Sequence, residues 1–304
     1  MIVHSGIVKI NTGAGDDLIV ATSAGRVSIN GGKGRDSISW ATHTPSLKRN
    51  YSGVNVNLAT GKVDGVGRQK LRSVENVIGS SFDDTIVGKP GARNTIYSGL
   101  GNGVLIYGND GSDRVTVANS VPSFVTTTID GGSGRNVLIG GRTKDVISTG
   151  NNSEGSIIKG GGDLDQIYVP GGGTALGGSA SDVIHSQTPC QGGRVGGGPG
   201  DENLVFAGSP RGVKASIAGG YARHVRGKCR RSLKIGPDIE SLEGSKYNDV
   251  LILGRKLRQQ GRKRSLLGRE GRDVLNSRNG VQVTVTTGAG GRKNKVIADR
   301  KDKV

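Results

Sequence analysis

Single aliphatic residues recur along this chain at intervals of about nine positions. One series runs from residue 129 to residue 204 with spacings of 9, 9, 11, 9, 9, 8, 11 and 9. Its members are Ile129, Leu138, Ile147, Ile158, Ile167, Leu176, Ile184, Val195 and Leu204, and Ile86, Ile96, Leu105 and Val115 precede them at similar spacing. A spacing this regular predicts very short strands, each of which contributes one side chain to a shared core, rather than a set of separate hairpins.

Glycine-rich turns separate these aliphatic positions. Residues 31–39 read GGKGRDSIS and match the nonapeptide G-G-x-G-x-D-x-U-x, in which U is a large aliphatic residue, at every fixed position. Less regular copies occupy residues 12–20, 108–116, 131–139, 140–148, 160–168, 177–185, 197–205 and 268–276. One such unit cannot bury a core alone, so the pattern predicts an all-β solenoid built from stacked nonapeptide turns.

A longer duplication lies on top of the nonapeptides. Residues 31–88 correspond to residues 197–254, and this alignment pairs Asp36 with Glu202, Trp40 with Phe206, Glu75 with Glu240 and Asp84 with Asp249. Both copies contain a Lys/Arg-rich stretch after a GV segment, and we expect that stretch to loop out of the solenoid. We therefore predict two β-roll modules, residues 1–130 and residues 131–304, each with one copy of the inserted unit.

The nonapeptides resemble the turns of the RTX, or haemolysin-type calcium-binding, repeat family. The motif GVNVNLATG…VENVIGSSFDDTIVG resembles the strand-rich unit that interrupts such repeats in bacterial secreted proteins. The resemblance covers nearly the whole chain and implies a right-handed parallel β-roll or β-helix, Ca²⁺ between turns, and an extracellular or cell-surface location. The family includes toxins, proteases, lipases, epimerases and adhesins, so it implies no particular activity.

The sixth position of each nonapeptide offers the carboxylate that Ca²⁺ prefers among its six to eight oxygen ligands. Two nonapeptides make one coil, so successive turns alternate between two edges. One edge then carries Asp145, Asp165, Asp182 and Glu202, and the other carries the neutral residues Asn136, Ser156, Thr174 and Gly193. The remaining candidate ligands are Asp17, Asp36, Asp84, Asp113, Asp249 and Asp273. An Asp in a turn can instead hydrogen-bond its own backbone, and both roles stay open.

Positive charge is concentrated in the last third of the chain. Residues 211–304 contain 24 Lys and Arg against 8 Asp and Glu, whereas the whole chain contains 42 against 25. The densest run contributes Arg255, Lys256, Arg258, Arg262, Lys263 and Arg264. Such a run can bind an anionic polymer, for example nucleic acid, an acidic polysaccharide or a cell-surface glycan, or it can be a solvated loop.

Enzymatic chemistry is disfavoured, since the chain contains neither the H-E-x-x-H motif of zinc proteases nor the G-x-S-x-G motif of lipases. The two cysteines, Cys190 and Cys229, could be bridged or free. Apolar stretches are too short for a transmembrane helix, and the N-terminal residues lack the pattern of a signal peptide. We therefore expect a non-enzymatic, secreted or surface-associated calcium-binding repeat protein, with a basic polyanion-binding module as the alternative.

Overall fold

The computed structural model describes residues 2–3, 7–21, 26–42, 53–80, 82, 84–98, 104–117, 126–150, 153–169, 171–254, 262–288 and 294–304. Their regular secondary structure consists of β-strands. These residues include no helix long and apolar enough to cross a membrane. The chain divides into two compact units, Met1–Asn152 and Ser153–Val304, with one copy of the duplicated segment in each.

The strands of the first unit are short and follow one another at the spacing of the nonapeptides. They are β1 (Ile2–Val3), β2 (Ile7–Asn11), β3 (Leu18–Ala21), β4 (Arg26–Asn30), β5 (Ser37–Ser39), β6 (Asn55–Asn57), β7 (Lys62–Asp64), β8 (Gln69–Arg72), β9 (Asn76–Ile78), β10 (Thr85–Val87), β11 (Thr95–Tyr97), β12 (Leu105–Tyr107), β13 (Arg114–Thr116), β14 (Thr126–Asp130), β15 (Val137–Ile139) and β16 (Lys144–Ser148).

The strands of the second unit have the same character. They are β17 (Ile157–Gly161), β18 (Gln166–Val169), β19 (Thr174–Gly178), β20 (Val183–Ser186), β21 (Arg194–Gly196), β22 (Asn203–Val205), β23 (Val213–Ser216), β24 (Tyr221–His224), β25 (Leu233–Ile235), β26 (Ser241–Glu243), β27 (Val250–Ile252), β28 (Ser265–Leu267), β29 (Val274–Asn276), β30 (Thr284–Thr286) and β31 (Lys295–Ile297).

Consecutive strands fall alternately into two stacked parallel sheets, which confirms the predicted solenoid. In the first unit the sheets have the orders β1-β3-β5-β9-β11-β13-β15 and β2-β4-β8-β7-β6-β10-β12-β14-β16. In the second unit they have the orders β17-β19-β21-β25-β24-β23-β27-β29-β31 and β18-β20-β22-β26-β28-β30. Two nonapeptides therefore make one coil, and residues one coil apart are hydrogen-bonded neighbours.

The core is a column of aliphatic side chains, one from the middle of each strand. Most of the side chains expected in this column are fully buried, as Ile129, Ile158 and Val195 show. Two predictions were wrong by one residue. Ile106 and Ala175 fill the column, while Leu105 lies only partly buried and Leu176 is 36% exposed. Because side chains alternate between faces, a shift of one residue moves a side chain from the core to the surface.

Each Lys/Arg-rich stretch continues the sheet and does not loop out of it, contrary to the expectation from sequence. In the first unit β6, β7 and β8 pair antiparallel, with Val56 opposite Val63 and Val63 opposite Gln69. In the second unit β23, β24 and β25 do the same, with Ala215 opposite Ala222. We call these two three-stranded elements the inserts. Their inward positions are apolar or small except for Gln69, so the inserts extend the core between two parallel coils.

The duplicated copies also agree in their buried aromatic residues. Trp40 and Phe206 are both fully buried. The backbone N–H of Trp40 donates to the carbonyl of Ile78 at 2.9 Å, and that of Phe206 donates to the carbonyl of Glu243 at 2.9 Å. Trp40 and Phe206 therefore occupy equivalent buried positions, each at the end of the strand that precedes an insert in the chain.

Candidate functional site

The sixth-position carboxylates lie inside the turns, not on the surface. Asp17 is half-buried, and all the other candidate calcium ligands are at most 1% exposed: Asp36, Asp84, Asp113, Asp145, Asp165, Asp182, Glu202, Asp249 and Asp273. The first glycine of the nonapeptide makes this possible. At Gly177, a Cβ atom would clash with Oδ2 of Asp182 and approach the carbonyl of Gly197. The pairing of a first-position glycine with a sixth-position acid is thus a packing requirement.

Six of these side chains accept a hydrogen bond from the backbone of the coil before them: Asp36, Asp84, Asp113, Asp182, Asp249 and Asp273. In the second unit the N–H of Asp165 donates to Oδ1 of Asp182 at 2.9 Å, and the N–H of Asp249 donates to Oδ1 of Asp273 at 2.9 Å. In the first unit the N–H of Asp113 donates to Oδ1 of Asn136 at 2.8 Å. An amide serves as well as a carboxylate, so this inter-coil bond needs an acceptor oxygen and not a charge.

The second carboxylate oxygens fall into two groups. Those of Asp84, Asp145 and Asp249 accept a backbone N–H from their own turn, from Ser80, Gly141 and Ser245 respectively. Those of Asp36, Asp113, Asp182 and Asp273 are buried without a hydrogen-bond partner among the described residues. An oxygen in that state lacks the donors that stabilise a carboxylate anion.

Burial has the expected effect on proton affinity. It raises the pKa of Asp113 and of Asp273 to about 6 and that of Asp182 to about 7, against hydrogen bonds that lower it. Burial also raises the pKa of Asp249. These carboxyl groups hold a proton more tightly than free aspartate does, because the interior favours their neutral form.

The described residues bring together no group of three or more His, Cys, Asp or Glu side chains of the kind that holds a metal ion. Asp165 and Asp182, which the sequence places on successive turns of one edge, are linked through the backbone N–H of Asp165 and Oδ1 of Asp182. Any metal bound there would have to take its remaining ligands from backbone carbonyls or water. Calcium binding at these turns stays a prediction.

The six cations of the basic run, residues 255–264, do not share one environment. Arg255, Lys256 and Arg258 lie outside the described residues. Lys263 is exposed, Arg264 is 4% exposed, and burial lowers the pKa of Arg264. Arg262 points inward and forms ion pairs with Glu202 and Glu240. Of the three described members, only Lys263 presents its charge to solvent.

Other cations form a continuous basic face on the insert of the second unit. Arg194 of β21 lies directly opposite Lys234 of β25, and Lys214 of β23 lies directly opposite Arg223 of β24. Arg194, Lys234 and Arg223 are exposed, and Arg223 lies over the ring of Tyr221 at 5.6 Å. We call Arg194, Lys214, Arg223 and Lys234 the second basic face. Like charges in opposite positions repel and lower the stability of a sheet.

The loop between β24 and β25 adds charge beside this face. It carries Arg226, Lys228, Arg230 and Arg231, all exposed. A disulfide between Cys190 and Cys229, with Cα atoms 4.7 Å apart, ties the loop to the turn before β21. A groove of about 510 Å³ opens beside the start of this loop, lined among others by Arg211, Arg226, Lys246 and Tyr247.

The insert of the first unit has a similar surface. Lys62 of β7 lies directly opposite Lys70 of β8, and both are exposed. A groove of about 630 Å³ over these strands is lined by Lys9, Arg26, Lys62, Arg68 and Lys70 together with Asp64. We call these five cations the first basic face. The Lys/Arg-rich composition of both stretches is the sequence signal that could have located these faces.

No protein-family model matches this chain, and comparison with characterised proteins finds no match. The likeness to RTX repeats therefore rests on the nonapeptide motifs, and the geometry of this chain has to carry the functional argument.

Proposed function

We propose that this protein is a non-catalytic solenoid that binds an acidic polysaccharide through the basic faces of its two inserts. The observation that carries the proposal is the direct pairing of like charges, Arg194 with Lys234, Lys214 with Arg223, and Lys62 with Lys70. Each pairing opposes folding of the insert unless an anion lies over it. Bound sulfate or carboxylate groups would convert that repulsion into attraction.

The spacing of the cations suits a linear polyanion. Neighbouring strands lie about 4.8 Å apart, so the second basic face presents cations at short intervals across β21, β25, β24 and β23. Every charged side chain on these four strands is basic. A flexible chain of charged sugars can follow such a row without a deep pocket, as expected for binding dominated by charge.

The disulfide favours a polysaccharide over a nucleic acid. A Cys190–Cys229 bridge persists in oxidising compartments such as the cell exterior, where acidic polysaccharides are abundant. Single-stranded nucleic acid is usually held by several stacking aromatic residues as well as by cations. The whole chain has only 1 Trp, 6 Tyr and 3 Phe.

Affinity measurements on the oxidised protein test the proposal. We expect heparin and polygalacturonate to bind with an affinity that falls steeply as salt rises, because binding releases counterions. Single-stranded DNA of equal charge should bind more weakly. Tighter binding to DNA would assign the basic faces to nucleic acid, and salt-independent binding, or none, would contradict a polyanion-binding function.

Calcium binding is a second candidate, favoured by one observation. The buried second oxygens of Asp36, Asp182 and Asp273 lack hydrogen-bond partners among the described residues. We propose that Ca²⁺ binds these oxygens together with backbone carbonyls of adjacent coils. Calorimetric titration with Ca²⁺ at pH 8 should show heat that Asp182→Asn reduces. Glu270→Gln is the matched control, since it removes one carboxylate from an exposed position. Absence of calcium heat in the wild type would contradict this candidate.

A further inference from the structure

One guanidinium group lies inside a turn, surrounded by oxygen atoms. Nη1 of Arg262 lies 2.9 Å from Oε1 of Glu240 and 3.3 Å from Oε2 of Glu202. It also donates to the carbonyl of Gly198 at 3.3 Å and to the carbonyl of Gly200. Arg262 thus reaches 64 residues back along the chain to fill this turn.

The oxygens belong to two successive coils of the second unit. Glu202 precedes β22 and Glu240 precedes β26, and these strands are parallel neighbours. The two carboxylates are 0% and 2% exposed, whereas the side chain of Arg262 is 19% exposed. Two buried carboxylates this close would repel strongly without a cation between them.

A mixed set of carboxylate and carbonyl oxygens is typical of sites for hard cations such as Ca²⁺. Here a side chain of the protein occupies the position of the ion. We infer that Glu202, Glu240 and the carbonyls of Gly198 and Gly200 form a cation site that the chain fills with Arg262. When Arg262 is removed, the site takes an oxygen-preferring divalent cation instead.

The duplicated copy supports this inference independently. The N–H of Asp36 donates to Oε2 of Glu75 at 3.2 Å, as that of Glu202 does to Oε2 of Glu240 at 3.0 Å. The other oxygen of Glu75 again receives a cation of the chain, Nζ of Lys89 at 3.3 Å. Lys89 is 44% exposed and, among the carboxylates of the described residues, pairs with Glu75 alone, so the first copy is an open version of the same arrangement.

Other charges face the site as well. Arg264, which is buried, attracts Glu240 and repels Arg262. The backbone N–H of Lys263 donates to Oδ1 of Asp201 at 3.1 Å and holds the segment before β28 that carries Arg262. Because Arg264 remains after removal of Arg262, a divalent ion there should bind about as weakly as at extracellular calcium modules, near millimolar.

Replacement of Arg262 by glutamine and by alanine tests the inference on the full chain. Both variants should melt at a lower temperature than the wild type in chelator. CaCl₂ at about ten times that near-millimolar dissociation constant should raise their melting temperature by about 3 °C more than it raises that of the wild type. Adding Glu240→Gln to either variant should remove this gain, because one carboxylate ligand is lost. Arg262→Lys, which keeps the cation, should show no gain.

Arg269→Ala is the matched control, since it removes an exposed arginine paired with Glu243 and changes the net charge equally. Measuring each variant against the wild type separates this site from any calcium bound elsewhere. The same calcium response in Arg262→Gln as in Arg269→Ala would overturn the inference. So would an Arg262→Ala chain that stays unfolded in both calcium and chelator while Arg262→Gln shows no gain.

Discussion

The backbone N–H of Glu202 donates a hydrogen bond of 3.0 Å to Oε2 of Glu240, although 38 residues separate them. Between these two residues the chain passes from β22 into the insert, which lies in the other sheet, and then returns to β26 beside β22. A buried carboxylate thus links the two coils that the insert separates in sequence. Hydrogen bonds of this kind recur between regular coils, with Asp or Asn as the acceptor. They therefore stabilise the fold whether or not a metal binds there.

The first prediction concerns the acceptor at Asp182. Asp182→Ala removes the partner of the Asp165 N–H and leaves that buried donor unsatisfied, so it should lower the free energy of unfolding by about 1–3 kcal/mol. Asp182→Asn keeps an acceptor oxygen and should cost much less. Urea denaturation of both variants at pH 5 measures the difference. Equal losses would mean that an amide oxygen cannot replace the carboxyl oxygen in this bond.

The second prediction is a pH dependence. Burial raises the pKa of Asp182 from its ordinary 3.8 to about 7. The folded state therefore keeps this proton at pH values where the unfolded state has lost it. The stabilisation is fully present below about pH 4 and is lost as the pH rises to 7, by up to about 4 kcal/mol. Denaturation in chelator between pH 4 and 8 should show this decline, and Asp182→Asn should flatten it.

The third prediction separates the second basic face from charge in general. Lys214→Gln combined with Arg223→Gln should lower the retention of the protein on heparin and reduce the slope of log affinity against log salt by about 1–2. Arg272→Gln combined with Arg278→Gln removes the same charge from exposed positions outside the insert. If the two pairs of substitutions have equal effects, binding is spread over the whole unit.

The fourth prediction is a trade between stability and binding in the first unit. Lys62→Glu places a carboxylate opposite Lys70, so it should raise the free energy of unfolding by about 0.5 kcal/mol. The same change should weaken heparin binding. Trp40, the single tryptophan, reports unfolding of this unit by its fluorescence. Loss of both stability and binding would show that the lysine pair is already neutralised within the protein.

The fifth prediction concerns the disulfide. Cys190 and Cys229 close a loop with a sequence separation of 39 that contains β23 and β24, the first two strands of the insert. Reduction, or replacement of both cysteines by alanine, should lower the free energy of unfolding by about 3–4 kcal/mol. Heparin affinity should fall as well, since Arg230 and Arg231 would no longer be held beside the second basic face. Unchanged affinity at a temperature where the reduced chain is folded would show that the loop takes no part in binding.

Much of the fold follows from local pattern. Gly177 and Asp182 illustrate why, since the glycine and the acid five positions later pack directly against each other within one turn. The errors at Leu105 and Leu176 have a local cause too. Each lies beside another small or aliphatic residue, Ile106 or Ala175, and composition does not tell which of two adjacent apolar residues faces inward.

The sequence by itself determined the nonapeptide repeat and the all-β solenoid, because each depends on residues within one or two turns. Only the tertiary structure decided the antiparallel pairing of the inserts, the basic faces, the disulfide and the position of Arg262. The disulfide and the position of Arg262 depend on contacts between residues 38 to 64 positions apart, as for Glu202 with Glu240 and Gly198 with Arg262. The inserts pair residues only a few positions apart, as for Val56 with Val63. The sequence of a basic run does not show whether an arginine in it faces water or a buried carboxylate, because that depends on which coil stacks against it.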